Sequence, residues 1–287
     1  MLFDSHTHFN DESFSNRARQ ALLESVDSAV KDGHLSYVID IGFDLASSKM
    51  AVEHAARYDW CYATVGCHPH NAKDMDDMQL TLIKGLLKKK KVVALGEIGL
   101  DFYRNHSGKD VQREWFRKQI RVANEMKMPI VIHSRNADQE VMDTLKEEGA
   151  FSAERKRFFP KRPDPGGFAG GKDGMADDAR VLFHCYSGSA ELARQYVKLG
   201  GTISVAGTVT YENNRKTVEV SKVIPLEFLL IETDAPYLTP VPFRGKRNTP
   251  LFVKYTAEKI AEIKEATLEE VADITRENGL RFYGING

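Results

Sequence analysis

Short clusters rich in histidine and carboxylate recur along this chain, each directly after a brief apolar run. His6 and His8 lie on Asp4-Ser5-His6-Thr7-His8, after Met1-Leu2-Phe3. Side chains alternate along an extended strand, so a His-x-His pair leaving one points both imidazoles to the same side. Two neutral imidazoles make half of a divalent-metal site. Further clusters are Gly66-Cys67-His68-Pro69-His70, Gly96-Glu97-Ile98-Gly99-Leu100-Asp101, His133-Ser134-Arg135, His184-Cys185-Tyr186-Ser187-Gly188 and Glu232-Thr233-Asp234-Ala235-Pro236. Only His34, His54 and His106 stand apart from them, in expected helices or loops. A lone histidine of this kind reads as a satisfied core residue. Several strand ends converging with His, Glu and Asp do not, because uncompensated imidazole and carboxylate in one cavity are costly and bound cations are the usual remedy.

His6, His8, Glu97, His133, His184 and Asp234 are too many ligands for one tetrahedral ion. They suit two cations sharing a bridging carboxylate, and Glu97 offers two oxygens for that purpose. Nitrogen and oxygen donors without thiolate permit Mg²⁺, Mn²⁺, Zn²⁺ or Co²⁺. The chemistry implied is metal-assisted hydrolysis.

Such a site needs a scaffold that brings distant strand ends together. Strand-like runs occur at Leu2–Asp4, Tyr37–Ile41, Tyr62–Val65, Val92–Leu95, Ile130–Ile132, Val181–Phe183, Thr202–Val205 and Phe228–Ile231. Between them apolar residues recur at helical spacing, as in Phe116, Ile120, Ala123 and Met126. Near-continuous apolar runs are the mark of parallel strands covered on both faces. Eight β-then-α units predict an α/β fold, a single (β/α)₈ TIM barrel occupying residues 1–287, with the ligand-bearing strand ends at its C-terminal mouth. A doubly wound open sheet is disfavoured, since no glycine-rich phosphate loop follows the first strand. Two helices, Phe252–Lys264 and Thr267–Phe282, are expected to close the chain, the second announced by the capping pair Thr267 and Glu270. Residues 150–179, rich in Gly, Pro and charge, read as an exposed, flexible insertion on the N-terminal face, away from the chemistry. Lys88–Lys91 reads as a solvated turn on that same face.

Composition narrows the partners. Forty Lys plus Arg against 41 Asp plus Glu leave no basic coat, so a polyanion would have to be held by a local patch or by cations. The three cysteines, Cys61, Cys67 and Cys185, show no Cys-x-x-Cys spacing and read as reduced thiols, with the cytoplasm as the expected location. No run is long and apolar enough to span a bilayer and no secretory signal is evident, so no membrane association is expected.

Taken in order, the six motifs resemble the TatD family of metal-dependent deoxyribonucleases, as do Arg244-Gly245-Lys246-Arg247-Asn248 and Asn278. The resemblance runs from Phe3 to Gly284, interrupted by the insertion at 150–179. Tyr186 stands where the family usually has Phe, and Thr249 where an acidic residue is common. The resemblance implies a barrel hydrolase of the amidohydrolase type that cuts phosphodiester bonds in DNA, as a 3′-to-5′ exonuclease on single strands, with divalent metal. It implies one metal held by His6, His8, Glu97 and Asp234, and a second held by Glu97, His133 and His184. No obligate protein partner is inferred.

Roles follow for the remaining polar residues. Asp234 can orient the attacking water and take its proton. His68 is placed to donate to a phosphate oxygen or the leaving group, or to orient a neighbour. Arg135 could fork onto a phosphate, and Asp101 could steady His68 or a loop. Arg244, Lys246 and Arg247 are the best local patch for a nucleic-acid backbone. Tyr103 and Tyr237 are candidates for stacking on bases, with Tyr211 a weaker one. The rival reading is a metal-dependent amidohydrolase or esterase acting on a small-molecule or aminoacyl ester substrate.

Overall fold

Eight strands pair in chain order, each parallel to the next: β1 (Leu2–Thr7), β2 (Leu35–Ile41), β3 (Cys61–Val65), β4 (Val92–Asp101), β5 (Ile130–Arg135), β6 (Val181–Phe183), β7 (Gly201–Val205) and β8 (Leu229–Ile231). The computed structural model describes residues 1–286. The ring closes between β8 and β1 at the mouth, where Thr7 bridges to Ala235. There the Asp234 N–H donates to His6 O at 2.9 Å and the His8 N–H to Ala235 O at 2.7 Å. Deeper in this seam side chains replace the ladder: the Asp4 carboxyl accepts the Thr233 N–H at 2.9 Å and the Thr233 hydroxyl at 2.6 Å, and Ser5 Oγ donates to Ile231 O at 2.9 Å. Burial dominates these bonds and pushes the Asp4 carboxyl up to about 8.

The period-two alternation of strands divides the apolar residues into two cores. Ile39, Ile41, Val131, Leu182 and Leu230 fill the barrel with Phe3, while Val38, Ile130, Ile132, Val181, Phe183, Leu229 and Ile231 pack outward against helices. The surrounding helices are α1 (Asn16–Lys31), α2 (Leu45–Arg57), α3 (Asp77–Leu86), α4 (Lys109–Met126), α5 (Asp138–Glu147), α6 (Ala190–Leu199) and α7 (Arg215–Val223). The chain closes with α8 (Val253–Lys264) and α9 (Leu268–Tyr283). The Thr267–Glu270 capping box forms as the sequence predicts. The end of α9 shuts the lower end of the barrel: Phe282 and Tyr283 join the inner core, and the Tyr283 hydroxyl donates to Ser5 O at 2.9 Å. Gly279 permits this approach, since a Cβ there would meet the Phe3 ring at 2.9 Å.

Two strands run further than the sequence suggests. β4 continues through Glu97 to Asp101 and β5 through His133 to Arg135, paired in register to the end. Ile98 and Leu100 continue the outward apolar row while Glu97, Gly99 and Asp101 occupy the alternate positions, so these polar residues do not end the strand. Register shifts fall between Asp4 and Thr7 in β1 and between Leu95 and Ile98 in β4. Such irregularities re-aim side chains, and these two flank His6 and Glu97.

The segment 150–179 lies on the N-terminal face as expected, but it is not the loosely exposed loop that its composition suggests. Arg155, Arg162, Asp164 and Asp178 are buried. Arg155 donates to Ala179 O, Asn124 Oδ1 and Met128 O at 2.8–2.9 Å, and Arg162 donates to Gly201 O at 2.7 Å and Val197 O at 2.6 Å. Carbonyls at strand starts and helix ends lack ladder partners, and a guanidinium with five donors can satisfy several at once. Arg162–Pro163 and Met175–Ala176 pair as a short antiparallel ribbon. Lys91 also departs from the solvated turn expected of it: its ammonium caps the end of α2, donating to Ala55 O and Tyr58 O.

Candidate active site

Glu97 sits at the centre of the mouth, almost fully buried, and its two oxygens serve different groups. Oε2 lies 3.4 Å from His6 Nε2 and 3.8 Å from His8 Nε2. Oε1 lies 2.7 Å from His184 Nε2, 2.8 Å from His133 Nδ1 and 3.5 Å from His68 Nε2. Asp234 Oδ1 completes the first group, 3.4 Å from His8 Nε2 and 3.7 Å from His6 Nε2. The six residues expected to act as ligands are thus brought together around one carboxylate, with His68 beside them.

The outer nitrogens fix which atom of each ring carries a proton. His8 Nδ1 faces Ile41 O at 3.0 Å, His133 Nε2 faces Asp101 Oδ2 at 3.2 Å and His184 Nδ1 faces Glu232 Oε1 at 3.3 Å. All three partners accept, so each outer nitrogen donates; the inner nitrogen donates to its carboxylate neighbours while the ring is doubly protonated, and turns a lone pair inward once that proton leaves. His68 is reversed. Its Nδ1 accepts the His70 N–H at 3.1 Å, so the proton of the neutral ring sits on the inner Nε2. His68 therefore donates inward while neutral, whereas His8, His133 and His184 do so only while doubly protonated. His6 and His8 present Nε2 atoms 3.2 Å apart, a poor arrangement for two lone pairs unless a proton or cation lies with them.

Without a cation the charges keep protons on the inner nitrogens: burial lowers His133 and His184, but Asp101 and Glu97 raise the first above its ordinary value, and Glu97 and Glu232 raise the second well above it. Burial, the largest influence, would raise the Glu97 carboxyl, but His184, His68 and the hydrogen bonds from His133 and His184 hold it well below its usual range. Burial lowers His8, yet Asp234 and Glu97 outweigh it and push the imidazole up to about 9. Burial and the neighbouring His133 keep His68 well below the ordinary imidazole value, so it stays neutral. Three subsets of these side chains, His6 with His8 and Glu97, His6 with His184 and Glu232, and His68 with Glu97 and His133, have donor atoms close enough together to hold a metal ion. The donor set, carboxylates and imidazoles whose inner nitrogens offer a lone pair once deprotonated, with the outer nitrogens of His8, His133 and His184 anchored on oxygens and that of His6 without a partner among the described residues, fits divalent cations. His68 is the exception, because its inner nitrogen is protonated.

A cavity of about 610 Å³ opens above this floor. Its walls include residues that carry no motif spacing and that sequence reasoning missed: Asp11, Glu12 and Asp44 from the loops after β1 and β2, and Arg104 and His106 from the loop after β4. Glu232 was also missed as an anchor, although its Glu-x-Asp spacing to Asp234 is a period-two signal. It accepts from both His184 and the Cys185 N–H. Asp101 does not reach His68. It takes His70 Nε2 at 2.8 Å and His133 Nε2 on Oδ2, and the Tyr103 and Arg104 N–H groups on Oδ1.

The residues expected to bind substrate are less concentrated. His68 lines the cavity, whereas Arg135, Tyr103, Arg244, Lys246 and Arg247 stand outside its lining. Each of these cations rests on an aromatic ring: Arg135 over Tyr103 at 4.1 Å, Arg244 over Tyr211 at 4.4 Å, Arg247 over Phe14 at 4.9 Å and Lys246 over Phe243 at 5.3 Å. Arg247 also donates to Ser13 O at 3.3 Å, which puts it beside the cavity wall. Tyr237 lines the cavity with its hydroxyl on Asp11.

An eight-stranded barrel whose mouth gathers imidazoles around shared carboxylates defines the class, a metal-dependent hydrolase. The sequence model of the family described as TatD related DNase matches residues 3–284, and the chain belongs to that family. It is 44% identical over 286 residues to the uncharacterized metal-dependent hydrolase YabD of Bacillus subtilis, with all of both chains covered. It is 34% identical over 290 residues to the uncharacterized metal-dependent hydrolase TatD of Mycobacterium tuberculosis, covering 99% of this chain and 98% of the other. Among solved structures, the TatD homologue YJJV of Escherichia coli matches with a TM-score of 0.82 at 25% identity, covering 99% of this chain and 98% of that one. Among the described residues no helix is long and apolar enough to cross a membrane.

Proposed function

We propose that this protein hydrolyses phosphodiester bonds in DNA, acting as a 3′-to-5′ exonuclease on single strands, with two divalent cations sharing Glu97. The observation that carries this reading is the division of the two Glu97 oxygens between separate imidazole groups, His6 with His8 and His133 with His184. His6, His8, Glu97 and Asp234 would hold one cation, and Glu97, His133 and His184 the other, with Mg²⁺, Mn²⁺ and Zn²⁺ all compatible. Such cations supply positive charge that offsets the charge building on phosphoryl oxygens, and they make water a nucleophile at neutral pH.

The chain's own residues do the rest. Asp234 takes the proton of the attacking water and aligns it. His68, neutral and carrying its proton on the inner Nε2, donates to a phosphoryl oxygen or to the leaving oxygen. Asp101, Glu232 and Ile41 O hold His133, His184 and His8 in the tautomers that face Glu97. Arg135, Arg244, Lys246 and Arg247, with Tyr103, meet the strand beyond the cavity through phosphate contacts and stacking. Three free thiols suit a cytoplasmic setting.

The test is release of mononucleotides from labelled single-stranded DNA across a panel of divalent metals, with a chelator control. Glu97→Gln is expected to lose turnover together with metal binding. His68→Ala is expected to keep its metal and lose turnover by about 100-fold or more, the scale of a lost proton or hydrogen-bond donor. Full turnover in chelator, or hydrolysis of small esters and amides but not of DNA, would replace this reading with the esterase or amidohydrolase one.

A further inference from the structure

The loops that line the cavity above Glu97 differ in charge, three carboxylates standing on one pair of them and a single guanidinium, beside two imidazoles, on the other. From the loops after β1 and β2 come Asp11, Glu12 and Asp44; from the loops after β3 and β4 come His70, Arg104 and His106. The acidic wall is built rather than incidental. Asp11 is held by the Ser13 N–H and the Tyr237 hydroxyl, and Asp44 by the Ser47 N–H at 2.7 Å and hydroxyl at 2.6 Å, so neither carboxylate can swing away. Their loop is anchored as well: Arg19 donates to Phe9 O at 2.7 Å and to Asp11 O at 3.0 Å. Glu12, exposed and next to Asp11 in the chain, makes no ion pair among the described residues. On the other wall the Arg104 N–H is pinned by Asp101, while its guanidinium has no carboxylate or hydrogen-bond partner among the described residues.

A nucleic-acid strand carries a phosphate on each side of every internal nucleotide. Threaded through this cavity, it would have to set one of them against three carboxylates. A strand end with only a hydroxyl there adds no charge and can donate to a carboxylate. We propose that Asp11, Glu12 and Asp44 form an end-selecting wall: the cavity accepts a strand terminus with a free hydroxyl, rejects a terminal phosphate, and places the strand phosphate on the other side of the reacting bond against Arg104. This deepens the nuclease reading above and rests on it. It names Glu12 and Arg104 as specificity residues, and it derives exonucleolytic action from the charge of one wall.

The test compares single-stranded oligonucleotides of one sequence ending in 3′-hydroxyl or 3′-phosphate, together with a circular single strand. Wild-type protein, Glu12→Gln and Arg104→Gln are assayed with the metal that supports turnover. Wild type should favour the hydroxyl end in kcat/KM by about tenfold or more, the scale on which one repulsive charge costs binding, and leave the circle intact. Glu12→Gln should narrow the hydroxyl-to-phosphate ratio by raising the rate on the phosphorylated end. Arg104→Gln should lower kcat/KM on both linear strands alike, chiefly through KM, leaving the ratio near wild type. Equal wild-type rates on the two ends, cutting of the circle, or an unchanged ratio in Glu12→Gln would overturn the end-selecting wall and leave the nuclease standing. No cleavage of any oligonucleotide under any metal would sink the nuclease itself, and the wall with it.

Discussion

Replacing Asp101 with Asn tests whether the tautomers of the imidazoles matter, because the structure decides how the new amide must sit. Asp101 Oδ1 accepts two backbone N–H groups, from Tyr103 at 2.9 Å and Arg104 at 2.8 Å, and those donors cannot reverse. The amide oxygen of Asn must therefore stay with them, which turns the NH₂ toward His70 and His133. His133 Nε2 must then accept, which moves the proton to Nδ1, the atom 2.8 Å from Glu97 Oε1. A protonated Nδ1 can hydrogen-bond to Glu97 but has no lone pair for a cation. Losing an anchor of this type costs about 10–100-fold in metal affinity or activity, or about 1.4–2.7 kcal/mol. The assay is metal titration of the folded apoprotein by calorimetry, with turnover measured on the same samples. Asp101→Asn should lose one binding event or weaken it within that range, with helix content unchanged. Wild-type affinity and turnover in Asp101→Asn would show that His133 does not act through Nδ1, and the ligand assignment around Glu97 Oε1 would fall.

Other expectations follow from the same geometry. Because Asp234 and Glu97 outweigh burial and hold the His8 proton up to about 9, and Glu97 and Glu232 raise His184 likewise, cations must displace these protons, so metal binding should release protons and weaken as pH falls below about 9; affinity independent of pH between 6 and 9 would contradict this. In the apoprotein the sign is opposite: a raised folded pKa contributes stability in full below the unfolded imidazole value of 6.5 and loses it as the pH rises through about 9, so the thermal midpoint of chelated protein should carry a downward component across that window. Arg162→Met leaves the Gly201 and Val197 carbonyls without their buried donor, at about 3 kcal/mol in total, which should lower the melting temperature by roughly 6–12 °C. Since Arg162 lies at the opposite end of the barrel, kcat at 25 °C should not change, and a large loss would place the segment 150–179 near substrate.

The barrel was legible because eight apolar runs alternate with helical periodicity and the parallel strands are covered on both faces. The meeting of the candidate ligands was legible for a related reason: in this architecture every strand ends at the same mouth, so residues far apart in the chain can be assigned to one place from the ends of the runs alone. The continuation of β4 to Asp101 was not legible, since a strand lining a polar cavity loses apolar character on one face while keeping it, as Ile98 and Leu100 do, on the other. Residues 150–179 misled because composition records charge without its partner. Arg155 and Arg162 spend their donors on carbonyls whose positions depend on strands elsewhere in the chain.

The sequence by itself determined which side chains are available for chemistry, their order, and the topology that lets them meet, because periodicity and motif type are local properties of the chain. Only the tertiary structure decided which nitrogen of each imidazole faces inward, that Asp101 serves His133 and His70 rather than His68, and that Asp11, Glu12, Asp44 and Arg104 line one cavity. Those depend on distances of a few ångströms between strands and loops that are not neighbours in the chain, and no spacing along the chain encodes them.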